Sequence, residues 1–321
     1  MEFAHMGDTR LREAAELAIY APSIFNTQPW QWTVRADTLE LRADRTRQLP
    51  VVDPDRRLLT LSCGVALHHA VTALSGTPYE VEFMPAAAEP DLLAVVRITG
   101  ERQTAGDAAS RDAIRKRRTD RRPFLRAPID QDLVAILTSV CERQGALLHV
   151  VRWDHVDVLA LAAVRAGALQ LSNPDYRAEL ADWTHRPPWS GDGIPLETVP
   201  KAVPRRVPVR EFAPLGGAGL TTGPDNDWGA LYAILYTATD TVHAWLTAGM
   251  SLSALLLAAT ARGLGSAPIS DVTEAATTRE QLRRLLPAGG FPQIAVRVGY
   301  PPVGEPPWTP RRLPSEVITD A

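Results

Sequence analysis

The chain has 321 residues, 45% of them hydrophobic and 22% charged, with a formal net charge of −3. This suits an ordinary soluble globular protein with two domains or two lobes, and it excludes bulk electrostatic attraction to nucleic acid or to an acidic membrane. Of the 34 basic residues only Lys116 and Lys201 are lysines, leaving 32 arginines, and arginine offers phosphates and carboxylates a planar fork that lysine lacks.

In chain order, residues 1–6 are set aside, with Met6 an alternative start. Residues 9–20 put Leu11, Ala14, Ala15, Ala18 and Ile19 on one helical face, and Pro22 stops that helix. Residues 30–43 alternate as two strands around a turn near Ala36-Asp37. An apolar helix over 58–74 ends at Gly76, strands follow at 79–85 and 92–99, and a helix over 107–116 runs into a cluster of arginines. The pattern partly recurs: a helix over 128–142 with Asp130 as its cap, a strand at 147–153 and a helix over 154–171.

Residues 172–228 are rich in Pro, Gly and Trp and show little periodicity. So long an insertion is a functional cover or a disordered segment, and Trp183, Trp189 and Trp228 favour an ordered cover. Order returns with a strand at 229–237, a helix over 241–261, a short helix at 279–286 and a buried strand at 292–298, before a proline-rich tail from 301. The helix 241–261 carries no Asp, Glu, Lys or Arg, but His243, Thr247, Ser251 and Ser253 point to a helix buried in protein rather than a membrane span. Aligning Gly76 with Gly263 lays helix 58–74 over 245–261 without a gap, which suggests a duplication.

Cys63 and Cys141 sit in apolar stretches and read as free buried thiols. With no secretory leader or disulfide framework, the cytoplasm is the expected compartment. His68-His69 point to different faces of their helix and lack further ligands at a recognised metal spacing. No Gly-x-Ser-x-Gly elbow or phosphate loop occurs, and Gly216-Gly217-Ala218-Gly219 does not complete a dinucleotide fingerprint, because Thr222 replaces its last glycine.

Two strings stand out. Residues 117–124 read Arg-Arg-Thr-Asp-Arg-Arg-Pro-Phe, and 21–30 read Ala-Pro-Ser-Ile-Phe-Asn-Thr-Gln-Pro-Trp. Taken alone, the first reads as readily as a solvated basic loop. Thr119 embedded among arginines, followed by Pro123-Phe124, fits a compact phosphate grip better. In the second, Ser23 and Asn26 sit in a turn whose hydroxyl and amide can face a ligand, and Gln28-Pro29-Trp30 anchors that turn in the core.

On these strings, together with Leu61–Gly64, Ala248–Gly265, Pro292–Gly299 and Thr309–Pro314, the chain resembles the nitroreductase superfamily and, within it, the Acg family of fused, monomeric members. The resemblance implies an α+β FMN-binding fold in which two similar lobes, 8–106 and 107–318, form a dimer-like unit in one chain, with 172–228 as a lid. The family's two opening motifs occur here in reverse order, which implies a single FMN site shared by the halves and an empty second pseudo-site.

For that site the resemblance implies Pro22, Ser23, Asn26 and Gln28 from the first half. From the second it implies Arg117, Arg118, Thr119 and Arg121, the stretch Pro268, Ile269 and Ser270 beside the flavin N5, and Arg311 and Arg312 at the phosphate. Asp271 stands where the family usually has glycine, which puts access at N5 in question. The implied activity is electron transfer from NAD(P)H through FMN to a small oxidised acceptor, a nitroaromatic or quinone. The alternative is an FMN-storage or sequestration protein with little turnover, favoured by the long insertion and by Ser270-Asp271. A flavin-consuming oxygen enzyme of the same superfamily is a third reading that no residue singles out.

Overall fold

The computed structural model describes residues 2–104, 106–201 and 203–321. The first lobe runs α1 (Glu2–Ala18), β1 (Trp30–Val34), β2 (Thr38–Ala43), α2 (Arg57–Ala73), β3 (Tyr79–Phe83) and β4 (Leu92–Ile98). After α3 (Ala108–Lys116), the second runs α4 (Gln131–Glu142), β5 (Leu147–Val150), α5 (Val156–Ser172), α6 (Pro174–Thr184), β6 (Leu231–Thr237) and α7 (Val242–Thr260). It closes with β7 (Gly265–Ile269), α8 (Asp271–Glu274), α9 (Ala276–Arg283) and β8 (Phe291–Gly299), followed by α10 (Pro314–Val317) and β9 (Ile318–Asp320).

The sheet orders are β3-β4-β2-β1-β9 and β5-β6-β8-β7. With β9 left aside, the two sheets share one topology. Each begins with an antiparallel pair, sends a long apolar helix across, and returns with two strands, the later of which pairs with the second strand of the opening pair. Even the register shift falls alike, at Leu41/Arg42 in β2 and at Leu235/Tyr236 in β6. The architecture is α+β with two similar lobes. A division at residue 106 separates the chain but not the sheets, because β9 returns to pair in parallel with β1, Ile318 opposite Trp32.

The lobes meet through α2 and α7, which are buried nearly throughout. Both are apolar on all sides because each packs on the other and on its own lobe. An 18-residue window of α7 is apolar enough to cross a membrane, but 83% of it is buried inside the protein, the condition of a core helix. The helices touch backbone to backbone. A Cβ on Gly64 would lie 2.0 Å from the Leu246 carbonyl oxygen, and one on Gly249 would lie 2.0 Å from that of Leu61. This reciprocity is the signature of a local two-fold axis. It sets Gly64 over Gly249, not over Ser251 as the alignment through Gly76 and Gly263 has it, because the helix ends are free to differ while the crossing is not.

Two further expectations change. Asn173-Pro174 starts a helix: Asn173 accepts from the Asp175 and Tyr176 amides (2.9 and 3.4 Å) with proline in the first turn. Leu180 and Trp183 of that helix join Phe25, Leu49, Val52 and Ile194 in a small core of the insertion's own. His68 and His69 do not diverge. Their Nδ1 atoms both lie 2.8 Å from the Ser253 Oγ on α7.

Replacing Gly249 by alanine forces the helices apart. The expected loss is about 2–3 kcal/mol or more, read as a lower denaturation midpoint; an unchanged midpoint would show that the crossing can yield.

Candidate functional site

Between the lobes lies a cavity of about 780 Å³, its mouth included, and both halves build it. Its apolar wall is Leu58, Leu61 and Val65 of α2, Leu252 of α7 and Ile294 of β8. The turn 22–26 forms one side, Arg117, Thr119 and Arg121 another, and Pro268, Ser270, Thr309 and Arg311 complete it, with Ile194 and Phe212 coming from the insertion.

The turn is held under local strain. Phe25, Asn26 and Gln28 all have positive φ (47°, 55° and 50°), a region that side chains avoid. Hydrogen bonds over-determine it. Ser23 Oγ accepts from the Gln28 amide (2.8 Å) and Ser62 Oγ accepts from that of Ile24 (3.1 Å). The Asn26 amide is spent within the protein rather than offered to a ligand: Nδ2 donates to the carbonyls of Gly193 and Pro310 (3.0 Å each), and Oδ1 accepts from Arg311 (3.2 Å). Gln28 lies behind the cavity, donating to the Gly191 carbonyl (2.8 Å) and accepting from the Arg312 amide (2.9 Å).

The arginine run begins where α3 ends and then follows the edge of β7. Thr119 bridges Ser266, and the Asp120 amide donates to the Ser266 carbonyl (3.0 Å). Phe124 locks this path by filling the space above Gly265 and Gly299, where a Cβ would lie 2.7 and 2.6 Å from its ring. The basic loop is therefore a packed element of the second lobe.

The arginines separate by partner. Arg117 is 3% exposed; its Nη2 reaches the Tyr20 carbonyl at 3.4 Å, and its Nε and Nη1 have no partner. Arg311 Nε is likewise unpartnered. Burial, then the neighbouring Arg311 and Arg118, pull the Arg117 guanidinium well below its usual range. Burial and Arg118 bring Arg311 down to about 10, and burial and Arg210 do the same to Arg121. Two other expected contacts turn elsewhere. Arg118 bonds the carbonyls of Arg115 and Arg117 and lies over the Trp308 ring. Arg312 pairs with Asp44 (3.6 Å) and bonds the Gln28 carbonyl. Neither lines the cavity, and Ile269 lines a neighbouring hollow instead.

"Putative NAD(P)H nitroreductase Rv3131" of Mycobacterium tuberculosis (strain H37Rv) is 38% identical over 317 residues, 96% of this chain and 90% of its own. The chain belongs to the nitroreductase family. Residues 226–300 match the model of that family, which covers β6 to β8. "Putative NAD(P)H nitroreductase acg" from the same organism is 34% identical over 96% of this chain and 95% of its own, and "Uncharacterized protein Rv3127" is 31% identical over 96% and 92%. A solved nitroreductase with bound FMN from Desulfitobacterium hafniense DCB-2 is 15% identical with a TM-score of 0.41, covering 64% of this chain and 95% of its own.

Within this chain the insertion adds groups that no motif announced. Arg210 pairs with Glu274, bonds Ser270 Oγ (3.1 Å) and lies 4.9 Å from the Phe25 ring centroid. Asp271, beside them, is 3% exposed, and burial raises its carboxyl to about 6 although Arg210 opposes the rise. A folded pKa above the unfolded one means that the proton stabilises the fold. That contribution is complete below about 3.8 and is lost as pH rises through about 6. Asp271→Asn keeps the neutral form, so its stability relative to the parent should grow from pH 4 to pH 7.5, on the order of 2 kcal/mol. Parallel denaturation curves at the two pH values check this; an equal difference at both would show that Asp271 ionises freely.

Proposed function

We propose that this chain is an FMN-dependent NAD(P)H oxidoreductase with one flavin site per chain, in the cavity between its lobes. The observation that carries the reading is the pair of buried Arg117 and half-buried Arg311 at one side of an apolar cavity, where Arg117 Nε and Nη1 and Arg311 Nε bond nothing. Buried cationic N–H groups left without an acceptor are costly, and a phosphate ester supplies the missing acceptors. The rest of the donor set fits the same group: an apolar wall for a ring system, and Arg121 with the Ser270 hydroxyl as donors for a ring edge. Relatives named as NAD(P)H nitroreductases over nearly the whole chain support the class of reaction.

The bound flavin would supply the two-electron chemistry, taking a hydride from reduced nicotinamide and passing electrons to a small oxidised acceptor such as a nitroaromatic or quinone. The chain's own work is binding and exclusion. Arg117 and Arg311 hold the anionic end, and Leu58, Leu61 and Val65 back the ring. Ile194 and Phe212 keep bulk water from the opposite side, with the insertion 172–228 acting as a lid. Because both lobes furnish the site, a monomer suffices. The connection from α4 to β5, only residues 143–146, lacks the long turn that follows α1, so the second pseudo-site stays empty.

Arg117→Ala with Arg311→Ala should purify colourless, whereas Arg312→Ala should keep its flavin at reduced stability. Bound FMN per chain, read from the visible spectrum of each, checks this; a yellow double variant with full occupancy overturns the site assignment.

The storage reading also has an observation in its favour. The lid is pinned by the Arg210–Glu274 pair, 5% and 3% exposed, and by the Glu179 carboxylate accepting from the amides of Val51 and Val52 (3.3 and 2.8 Å). Glu179→Gln together with Arg210→Gln should release the lid and raise the rate of bleaching by NADH several-fold per bound flavin. Bleaching within seconds in the parent, unaltered in the double variant, rejects storage.

A further inference from the structure

A second hollow adjoins the cavity on the far side of Ile194, whose side chain borders both. Its walls include His185, Arg186 and Pro187 from the end of α6, Pro310 next to Arg311, and Trp308. Apart from Ile194, its lining takes no part in the flavin reading.

Trp308 is the unusual member. It is 43% exposed, yet it is fixed. Pro306-Pro307 precede it and Pro310 follows two residues on, which removes most of the backbone freedom of an irregular segment. The Arg118 guanidinium lies 3.8 Å from its ring centroid, and the Tyr20 ring meets its edge at 5.8 Å. An indole held rigidly at the surface, one face covered by a cation whose own hydrogen bonds go only to backbone carbonyls, offers its other face as a prepaid stacking platform. Elsewhere in the wall Arg186 and the nearby Arg47 share the carboxylate of Asp192, and Glu197 balances the charge left over, so Arg118 is the uncompensated cation at the groove.

A platform for a flat ring, with the Arg118 cation on it and only Ile194 between it and the cavity, matches one chemistry: an adenosine phosphate joined to whatever occupies the cavity. We propose that the Trp308 groove is an adenylate subsite that takes the AMP half of the reduced nicotinamide dinucleotide while the nicotinamide end reaches the flavin. This rests on the FMN reading above. The same chemistry would arise if the prosthetic group were a flavin adenine dinucleotide, with its adenine reaching past Arg311 into the groove.

The test titrates ADP-ribose, the redox-inert portion of the dinucleotide, into the FMN-loaded protein by calorimetry, for the parent, Trp308→Ala and Trp308→Phe. Loss of one stacked base predicts binding weakened tenfold or more in Trp308→Ala, largely restored in Trp308→Phe, at equal flavin content. In steady-state reduction Trp308→Ala should raise KM for NADH by a similar factor and leave KM for reduced nicotinamide mononucleotide, which has no adenylate, unchanged. If FAD rather than the dinucleotide substrate fills the groove, apoprotein binds FAD more tightly than FMN, and Trp308→Ala abolishes that preference. ADP-ribose and FAD both indifferent to Trp308 would overturn the proposal. Failure of the FMN reading shows differently: neither reduced nucleotide bleaches the flavin, while ADP-ribose binding still reports on the groove.

Discussion

No side chain separates α2 from α7 where Gly64 meets Gly249, and the rest of the molecule is arranged around that backbone contact. Helices that close cannot slide, because the Leu61 and Leu246 carbonyls sit where any Cβ would go. The crossing therefore sets the relation of two topologically equal lobes and decides what lies on either side of it. On one side, Leu58, Leu61 and Val65 face open space under the turn 22–26. On the other, Phe83 packs on His243 with ring centroids 5.2 Å apart. One constraint thus serves a symmetric frame with an asymmetric outcome.

Burial of arginine has two meanings in this chain. Arg57, also lowered to about 10 by burial, donates to the carbonyls of Gln293 and Thr273, the latter at 2.6 Å, and so ties α2 to the second lobe. Arg297 pairs with Asp227 and bonds the carbonyls of Asp120 and Arg122 (2.7 and 3.0 Å). These are satisfied and structural. Arg117 is equally buried but leaves Nε and Nη1 empty. Since an unsatisfied buried donor costs about 1–3 kcal/mol and more when charged, Arg117 carries this expense beside a cavity, where the unpartnered Arg311 Nε joins it.

The main frame was legible in the sequence because it is local. The periodicity of 58–74 and 241–261, the alternation of 30–43 and the stop at Pro22 each depend on near neighbours. The turn and the arginine run were legible as strings, since their spacing carries the chemistry. What stayed hidden depends on distant partners. Asn173-Pro174 looks the same as a turn or as a helix start until Trp183 and Leu180 find Phe25 and Leu49. Residues 318–320 acquire a strand only because β1 has a free edge. Arg118 and Arg312 carry the same charge as Arg117 and Arg311, and nothing in the string distinguishes them. Their directions are decided by Trp308 and Asp44, which the fold brings from far along the chain. Phe212 and Arg210 gave no signal, because an irregular segment has no period against which an inward-facing residue stands out.

The turn and the insertion are one mechanical unit. Three side-chain-bearing residues within four positions hold positive φ, an arrangement costing on the order of 1–3 kcal/mol each if unsupported. The support comes from outside the turn: Asn26 and Gln28 are held by the carbonyls of Gly193 and Gly191, and Phe25 by Arg210 and Phe212. All of these belong to the insertion. Gly191 and Gly193 have φ of 72° and 76°, and a Cβ on either would lie 3.1 Å from the Arg311 carbonyl or 2.6 Å from that of Trp183, so the loop reaches the turn only as glycine. Lifting the insertion removes part of the bonding that keeps the turn strained, and the turn is one wall of the cavity. Access to the cavity and the shape of its wall are therefore not independent variables: the insertion that closes the site also keeps it in form.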